Sequence, residues 1–117
     1  MKILILINDG SYGSEKAYNA LRLAMTLQKN NPEIGIRIFL LADAVTCAIQ
    51  GQLTPQGYYN IERMLYAILS KGGEVKICTS CSEARGITGL NMINGVEIST
   101  MNELSQWIIE ADKVLTF

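Results

Sequence analysis

The strongest nucleophiles in this sequence are its 3 cysteines, and it has no histidine. Two of the thiols form the segment Cys78-Thr79-Ser80-Cys81, which follows the apolar run Val75-Lys76-Ile77 and precedes Arg85-Gly86. The third, Cys47, stands apart among Ala44, Val45, Ala48 and Ile49. A thiol reacts as its thiolate, so what matters is the environment that sets its acidity and access. Without histidine, Cys78 lacks the usual base of a cysteine hydrolase, which argues against proteolysis and acyl transfer. Sulfur transfer asks for less, because a thiolate attacking a persulfide needs access and a tuned pKa rather than an internal base.

A Cys-x-x-Cys segment has three uses. Zinc requires four ligands, and beside the pair the chain offers only Cys47 and carboxylates, so neither a metal nor another cofactor is expected. A dithiol redox site places its first cysteine at a helix N-terminus, and Thr79-Ser80-Cys81-Ser82 is compatible with that. The third use is one persulfide-carrying thiol at the end of a strand, with Cys81 as helper. The plain alternative for Cys78 is a small buried residue finishing a strand. Cys81 is harder to explain by burial, given Ser80, Ser82 and Glu83 around it, whereas Cys47 is expected in the core. Arg85 would lower a neighbouring thiol pKa, and Glu83, Asp9 and Asp43 would oppose it.

These residues must be positioned by the elements around them. Lys2 to Ile7 is continuously apolar and β-branched, as in a strand covered on both faces. The turn formers Asn8 to Ser14 follow, with hydroxyls able to cap a helix whose stripe is Ala17, Ala20, Leu21, Ala24 and Leu27. Asn30-Asn31-Pro32 stops it. Ile34 to Ala42 reads as a second strand, Asp43 as the cap of a short helical turn to Ile49, and Gln50 to Gly57 as an exposed loop able to act as a lid. Tyr58 to Lys71 reads as a helix closed by Gly72-Gly73. Val75 to Cys78 is a third strand and Val96-Glu97-Ile98 a fourth. Thr100-Met101-Asn102-Glu103 has the capping-box pattern ahead of a last helix, and Lys113 to Phe117 is a final strand. Alternating strands and helices predict a three-layer α/β sandwich with a mostly parallel sheet of four or five strands in a single domain over residues 1–117.

Right-handed crossovers place the loops after the strands on one carboxyl edge, and all three cysteines with them. The segment Gly10 to Ser14 lies where α/β proteins bind phosphate, but it is neither G-x-G-x-x-G nor a P-loop. A tight turn with an N-cap is the expected reading, with room for an anion near Ser11 or Ser14. Tyr12, Tyr58, Tyr59 and Trp107 are expected to serve packing or subunit contact.

Composition narrows the partners. With 10 basic and 11 acidic residues the net charge is −1, and no basic cluster interrupts the chain, so direct nucleic-acid binding is not expected. The apolar run Ile3 to Ile7 is too short for a membrane span, and reduced thiols in a cytoplasmic protein are expected. A hydrophobic fraction of 49% against 18% charged suggests surface covered by self-association.

Several of these segments together resemble the DsrE/DsrF-like sulfur-relay family over essentially the whole chain. They are the first strand followed by Tyr12-Gly13-Ser14, Phe39-Leu40 leading to Asp43-Ala44-Val45-Thr46, Ile77-Cys78 with Arg85-Gly86, and Ala111-Asp112-Lys113-Val114-Leu115-Thr116-Phe117. The resemblance implies a DsrE-like cytoplasmic subunit that assembles as a homo-oligomer, a hexamer, and accepts and passes on sulfane sulfur. It implies that Cys78 stands where relatives carry the persulfide; Cys81 is not part of the wider pattern. On this reading Cys78 is the acceptor, Cys81 a resolving thiol and Arg85 electrostatic support, with sulfur donor and acceptor proteins as partners. A noncatalytic oligomeric scaffold with structural cysteines and a dithiol redox protein remain the alternatives.

Overall fold

The computed structural model describes residues 1–117. In chain order the elements are β1 (Lys2–Ile7), α1 (Lys16–Asn30), β2 (Gly35–Leu40), a 3₁₀ helix (Ala42–Ala48), α2 (Ile61–Ser70), β3 (Glu74–Cys78), α3 (Thr79–Ala84), β4 (Val96–Ser99), α4 (Met101–Glu110) and β5 (Lys113–Thr116). The 5 strands form one all-parallel sheet in the order β4-β3-β2-β1-β5.

The continuous apolar character of β1 has its cause in this order. Both β2 and β5 pair with it, and Leu4, Ile5 and Ile7 are fully buried. Register aligns Ile5 with Ile38 and Val75, and Leu6 with Phe39 and Lys76. Because side chains alternate along a strand, these are rows on opposite faces. The Phe39 row faces α4, where Phe39 meets Trp107 edge-on with ring centroids 6.1 Å apart. The chain steps from β1 to β4 in one direction, and α4 then carries it back to β5 at the far edge. Right-handed crossovers taken in opposite directions put their helices on opposite faces, so α1 and α2 share one face and α4 takes the other.

Some boundaries differ from the sequence reading, each for a local reason. Helix α2 begins at Ile61 rather than Tyr58, because Asn60 is its N-cap and accepts from the Arg63 N–H at 3.0 Å. Tyr58 and Tyr59 stack on each other instead, at a centroid distance of 4.5 Å. Asp43 lies inside the first turn of the 3₁₀ helix, whose N-cap is Leu41. The loop from Gln50 to Gly57 is tied down, with Glu62 Oε1 accepting from the N–H groups of Gly51 at 3.0 Å and Gln52 at 2.8 Å. The Gln52 side chain binds the carbonyls of Cys47 and Ile49 at 2.9 Å, and Tyr12 Oη donates to it at 2.6 Å. Half of the predicted capping box forms: Thr100 Oγ1 accepts from Glu103 N, while the Glu103 carboxylate goes to Lys76.

The turn between α2 and β3 is a tight constraint. Gly72 has φ +87°, and a Cβ at Gly73 would stand 2.5 Å from Ile68 Cγ2 and 2.8 Å from the Ile68 carbonyl oxygen. Backbone cannot yield there cheaply. Gly73→Ala is expected to destabilise the protein by about 1–3 kcal/mol in urea titration, while Gly13→Ala, which meets open space, stays within about 0.5 kcal/mol of the parent.

Candidate functional site

Strand β3 passes into α3 with no residue between them, so Cys78 ends the strand and is also the N-cap of the helix. Its backbone is extended, with φ −70° and ψ 124°, and its Sγ accepts a hydrogen bond from the Cys81 N–H at 3.3 Å. A thiol thus occupies the place usually held by a serine, threonine or aspartate oxygen. The Ser80 hydroxyl lies 3.3 Å from the same sulfur. The local backbone is held by Ser82 Oγ, which donates to the Cys78 carbonyl at 2.9 Å, and by Thr79 Oγ1, which donates to the Ser99 carbonyl at 2.6 Å. Cys78 is buried, yet it lines a cleft of about 200 Å³ with Thr79, Ser80, Glu83, Ser99, Thr100 and Met101.

Acidity divides unevenly between the paired thiols. Burial pushes the Cys78 pKa up, but hydrogen bonding from the Cys81 and Ser80 side chains and backbone outweighs it, and the net direction is down. Cys81 moves up, through burial first and then through its side-chain hydrogen bond to Cys78, against the lowering effect of the Ala42 N–H and the Arg85 charge. The two thiols thus shift in opposite directions, Cys78 down and Cys81 up. The Ala42 N–H reaches Cys81 Sγ at 3.2 Å.

Ala42 is the one non-glycine residue with positive φ, at 51°. That left-handed conformation costs an L-residue roughly 1–2 kcal/mol. It sends the Ala42 N–H to Cys81 and sets Asp43, the next residue, opposite Arg85. Arg85 Nε pairs with Asp43 Oδ1 at 2.7 Å, and an Arg85 η nitrogen donates to the Cys81 carbonyl at 3.0 Å. Arg85 thus approaches the pair from the Cys81 side, with its charge already matched by a carboxylate.

The fold brings Cys78, Cys81 and Arg85 together. Cys47 is fully buried, and burial pushes its thiol up to about 12. At the other candidate position, Ser14 Oγ donates to Asp9 Oδ2 at 2.7 Å and accepts from Lys16 N, and Ser11 lies 3.5 Å from Thr46 Oγ1. Those hydroxyls knit the first loop to the α1 start and the 3₁₀ helix. Sequence reasoning does not place Ala42, Ser99, Thr100 or Met101 at the thiol pair, and reads Thr100 and Met101 only as a capping box. Ser99, Thr100 and Met101 reach the thiol through a strand pairing more than twenty residues along the chain, which no local motif encodes.

The model of the DsrE/DsrF-like family matches residues 1–117. The chain belongs to that family. Protein YchN of Escherichia coli (strain K12) is 47% identical to it over 116 residues, covering 99% of this chain and 98% of YchN. The crystal structure of the E. coli YchN protein matches with a TM-score of 0.94 at 46% identity, covering 99% of this chain and 98% of that one. A protein named sulfurtransferase TusD, from Enterobacter sp. (strain 638), is 22% identical over 129 residues, with 100% of both chains covered. Within this DsrE/DsrF-like chain no helix is long and apolar enough to cross a membrane.

The unequal thiols give a direct test. Only the thiolate is alkylated, so a lowered pKa keeps Cys78 reactive to a lower pH than an ordinary thiol. Iodoacetamide labelling with peptide mapping should show a pH midpoint for Cys78 below that of glutathione, a midpoint for Cys81 above it, and Cys47 labelled only after denaturation. A Cys78 midpoint at or above that of glutathione contradicts the assignment.

Proposed function

We propose that this DsrE-like chain is a sulfur carrier that accepts sulfane sulfur as a persulfide on Cys78 and passes it on. The supporting observation is the setting of Cys78: a strand-end thiol that meets the N–H of Cys81 and the Ser80 hydroxyl, with its pKa lowered by these groups and by the Cys81 side chain. Family membership and the likeness to a protein named as a sulfurtransferase agree with this role in a sulfur relay.

In the loading step the Cys78 thiolate attacks the outer sulfur of a donor persulfide. A new S–S bond forms at Cys78, the donor S–S bond breaks, and the donor leaves as its thiolate. Unloading is the same displacement by an acceptor thiolate, which takes the outer sulfur and returns Cys78 as thiolate. Neither step requires an outside oxidant or reductant. A competing branch has Cys81 attack Cys78 Sγ within the persulfide. That forms the Cys78–Cys81 disulfide and expels the outer sulfur, reduced, as hydrosulfide, after which a dithiol reductant must restore the pair. The raised pKa of Cys81 slows this branch, which makes Cys81 a helper first and a resolving thiol second. Arg85, fixed by Asp43 and the Cys81 carbonyl, holds the α3 end of the pair in place.

The test is intact mass after incubation with a cysteine desulfurase and cysteine. The parent should gain one sulfur atom, and Cys78→Ser should gain none. An adduct that survives Cys78→Ser, or its absence from the parent, overturns the proposal. Accumulation of the Cys78–Cys81 disulfide without a sulfur adduct would favour a dithiol redox protein.

The carrier is further proposed to act as a homo-oligomer, a hexamer. Leu53, Tyr58, Ile98, Met101, Ile109 and Val114 are all exposed in the single chain, apolar side chains that association of copies would cover. Sedimentation velocity should report a hexamer, and Ile109→Asp, placing charge at a side chain 76% exposed in the single chain, should lower the assembly state without unfolding the subunit. A monomer at all concentrations would count against this part.

A further inference from the structure

A polar atom buried without a partner needs an explanation, because the loss of water is not repaid within the fold. Ser99 is 1% exposed, and its hydroxyl has no hydrogen-bond partner. It is also the residue directly across from Cys78 in the parallel β3–β4 pairing. Residues in register point to the same face of a sheet, so the orphan hydroxyl stands beside the Cys78 thiol at the floor of the cleft they both line.

The wall next to it is the start of α4. Thr100 is the N-cap, and its hydroxyl accepts from Glu103 N. The N–H groups of Met101 and Asn102, at the first helical positions, have no acceptor within the helix, and the N-terminal end of the dipole favours negative charge. Thr100 and Met101 line the same cleft as Cys78 and Ser99. Two carboxylates stand near. Glu83 lines the cleft, and Glu103 is bound by Lys76 Nζ at 2.6 Å, which largely neutralises it. Glu103 is the competing acceptor for the Ser99 hydroxyl, since its pKa is lowered by Lys76 first and then by Ser99, but the structure holds no Ser99–Glu103 hydrogen bond and the Glu103 carboxylate is engaged by Lys76.

We infer that the Ser99 hydroxyl and the first turn of α4 form the seat for the terminal sulfur of a Cys78 persulfide. The ligand class is a soft monoanion one S–S bond beyond Cys78 Sγ. The empty-handed donor at the floor of the cleft becomes satisfied when the sulfur arrives, so the site distinguishes the loaded from the unloaded protein. Cys78 Sγ itself is served by Cys81 and Ser80, and the outer sulfur by Ser99 and α4. This inference rests on the sulfur-carrier reading and assigns Ser99 as a positioning residue within it.

The experiment compares the parent, Ser99→Ala and Ser99→Thr, each loaded from inorganic polysulfide and read by intact mass, with Cys78 alkylation by iodoacetamide measured on the unloaded proteins. Losing a hydrogen bond to a charged acceptor should lower the ratio of loaded to unloaded Ser99→Ala by about tenfold at a fixed donor concentration. Ser99→Thr, which keeps the hydroxyl, should load like the parent. Alkylation should be the same in all three, and thermal unfolding of Ser99→Ala should come no earlier than the parent's, because the hydroxyl satisfies nothing in the unloaded fold. If the parent loads and Ser99→Ala loads equally, the seat is overturned and the carrier reading stands. If the parent takes no sulfur, both fall. Earlier unfolding or slower alkylation of Ser99→Ala, or failure of threonine to restore loading, marks Ser99 as a structural residue and also overturns the seat.

Discussion

The arrangement depends on one junction: β3 becomes α3 without a connecting residue. A strand residue must be extended, and a helix N-cap must also be outside the helical region, so one residue can satisfy both demands. Placing cysteine there gives its sulfur the geometry of a capping oxygen. The first free N–H groups of α3 must find an acceptor, and the Cys81 N–H finds Sγ. The need of the helix for a cap and the need of the thiol for a donor are met by the same bond. A loop of even one residue would separate them.

Period-two alternation then decides which side of the sheet the sulfur faces. Lys76 and Cys78 project to the same side, the α4 side. Lys76 Nζ lies 4.7 Å from the centroid of Trp107 and 2.6 Å from the Glu103 carboxylate, both on α4. Exposed ion pairs of this kind contribute about 0–1 kcal/mol. Position is therefore the more important product: Lys76, two residues before the thiol, fixes the first turn of α4 beside it. On the opposite side of the thiol pair, the left-handed Ala42 and the Asp43–Arg85 pair fix the 3₁₀ helix against α3. Local backbone strain at Ala42 persists because the Cys81 sulfur and the neighbouring ion pair use the geometry it creates.

The fold was legible in the sequence wherever a local pattern dictates it. The β-branched run at Lys2 to Ile7 marked a doubly covered strand, the apolar stripe marked α1, and the alternation of elements marked a parallel sheet with its loops on one edge. The family was legible from segments spread along the chain. What sequence could not supply was the pairing between distant residues. Asp43 read as a helix cap because its carboxylate's partner, Arg85, is 42 positions away. Gln50 to Gly57 read as a lid because its glycines and proline are local, whereas Glu62 and Tyr12, which tie it down, are not. Tyr58 read as helical because the apolar stripe extends through it, but Asn60 stops the helix by capping it. Cys78 and Cys81 are recognisable as a pair, but the donors that separate their acidities, Ser80 and the N–H groups of Cys81 and Ala42, are set by the β3–α3 junction and by the distant 3₁₀ helix.

Those donors also bear on how a buried thiol can be acidic. Burial keeps water from the Cys78 sulfur and raises a thiol pKa, so shielding and reactivity conflict. A cationic side chain could reverse the shift, but it would be screened by salt and would need its own desolvation. Arg85, paired with Asp43, lowers the Cys81 pKa and is not among the groups that lower that of Cys78. The donors at Cys78 are instead backbone N–H groups, a hydroxyl and a neighbouring thiol, which carry no net charge and are fixed by the secondary structure itself. Dipoles held in place this way need no reorganisation when the sulfur becomes anionic. On the proposed seat the same logic would apply one bond further out, where α4 offers N–H groups and Ser99 a hydroxyl while the nearby Lys76 charge is taken by Glu103. For the proposed carrier, a site that holds an anion and then releases it gains from moderate neutral donors, because a strong ion pair would stabilise the loaded state and retard the release on which transfer would depend.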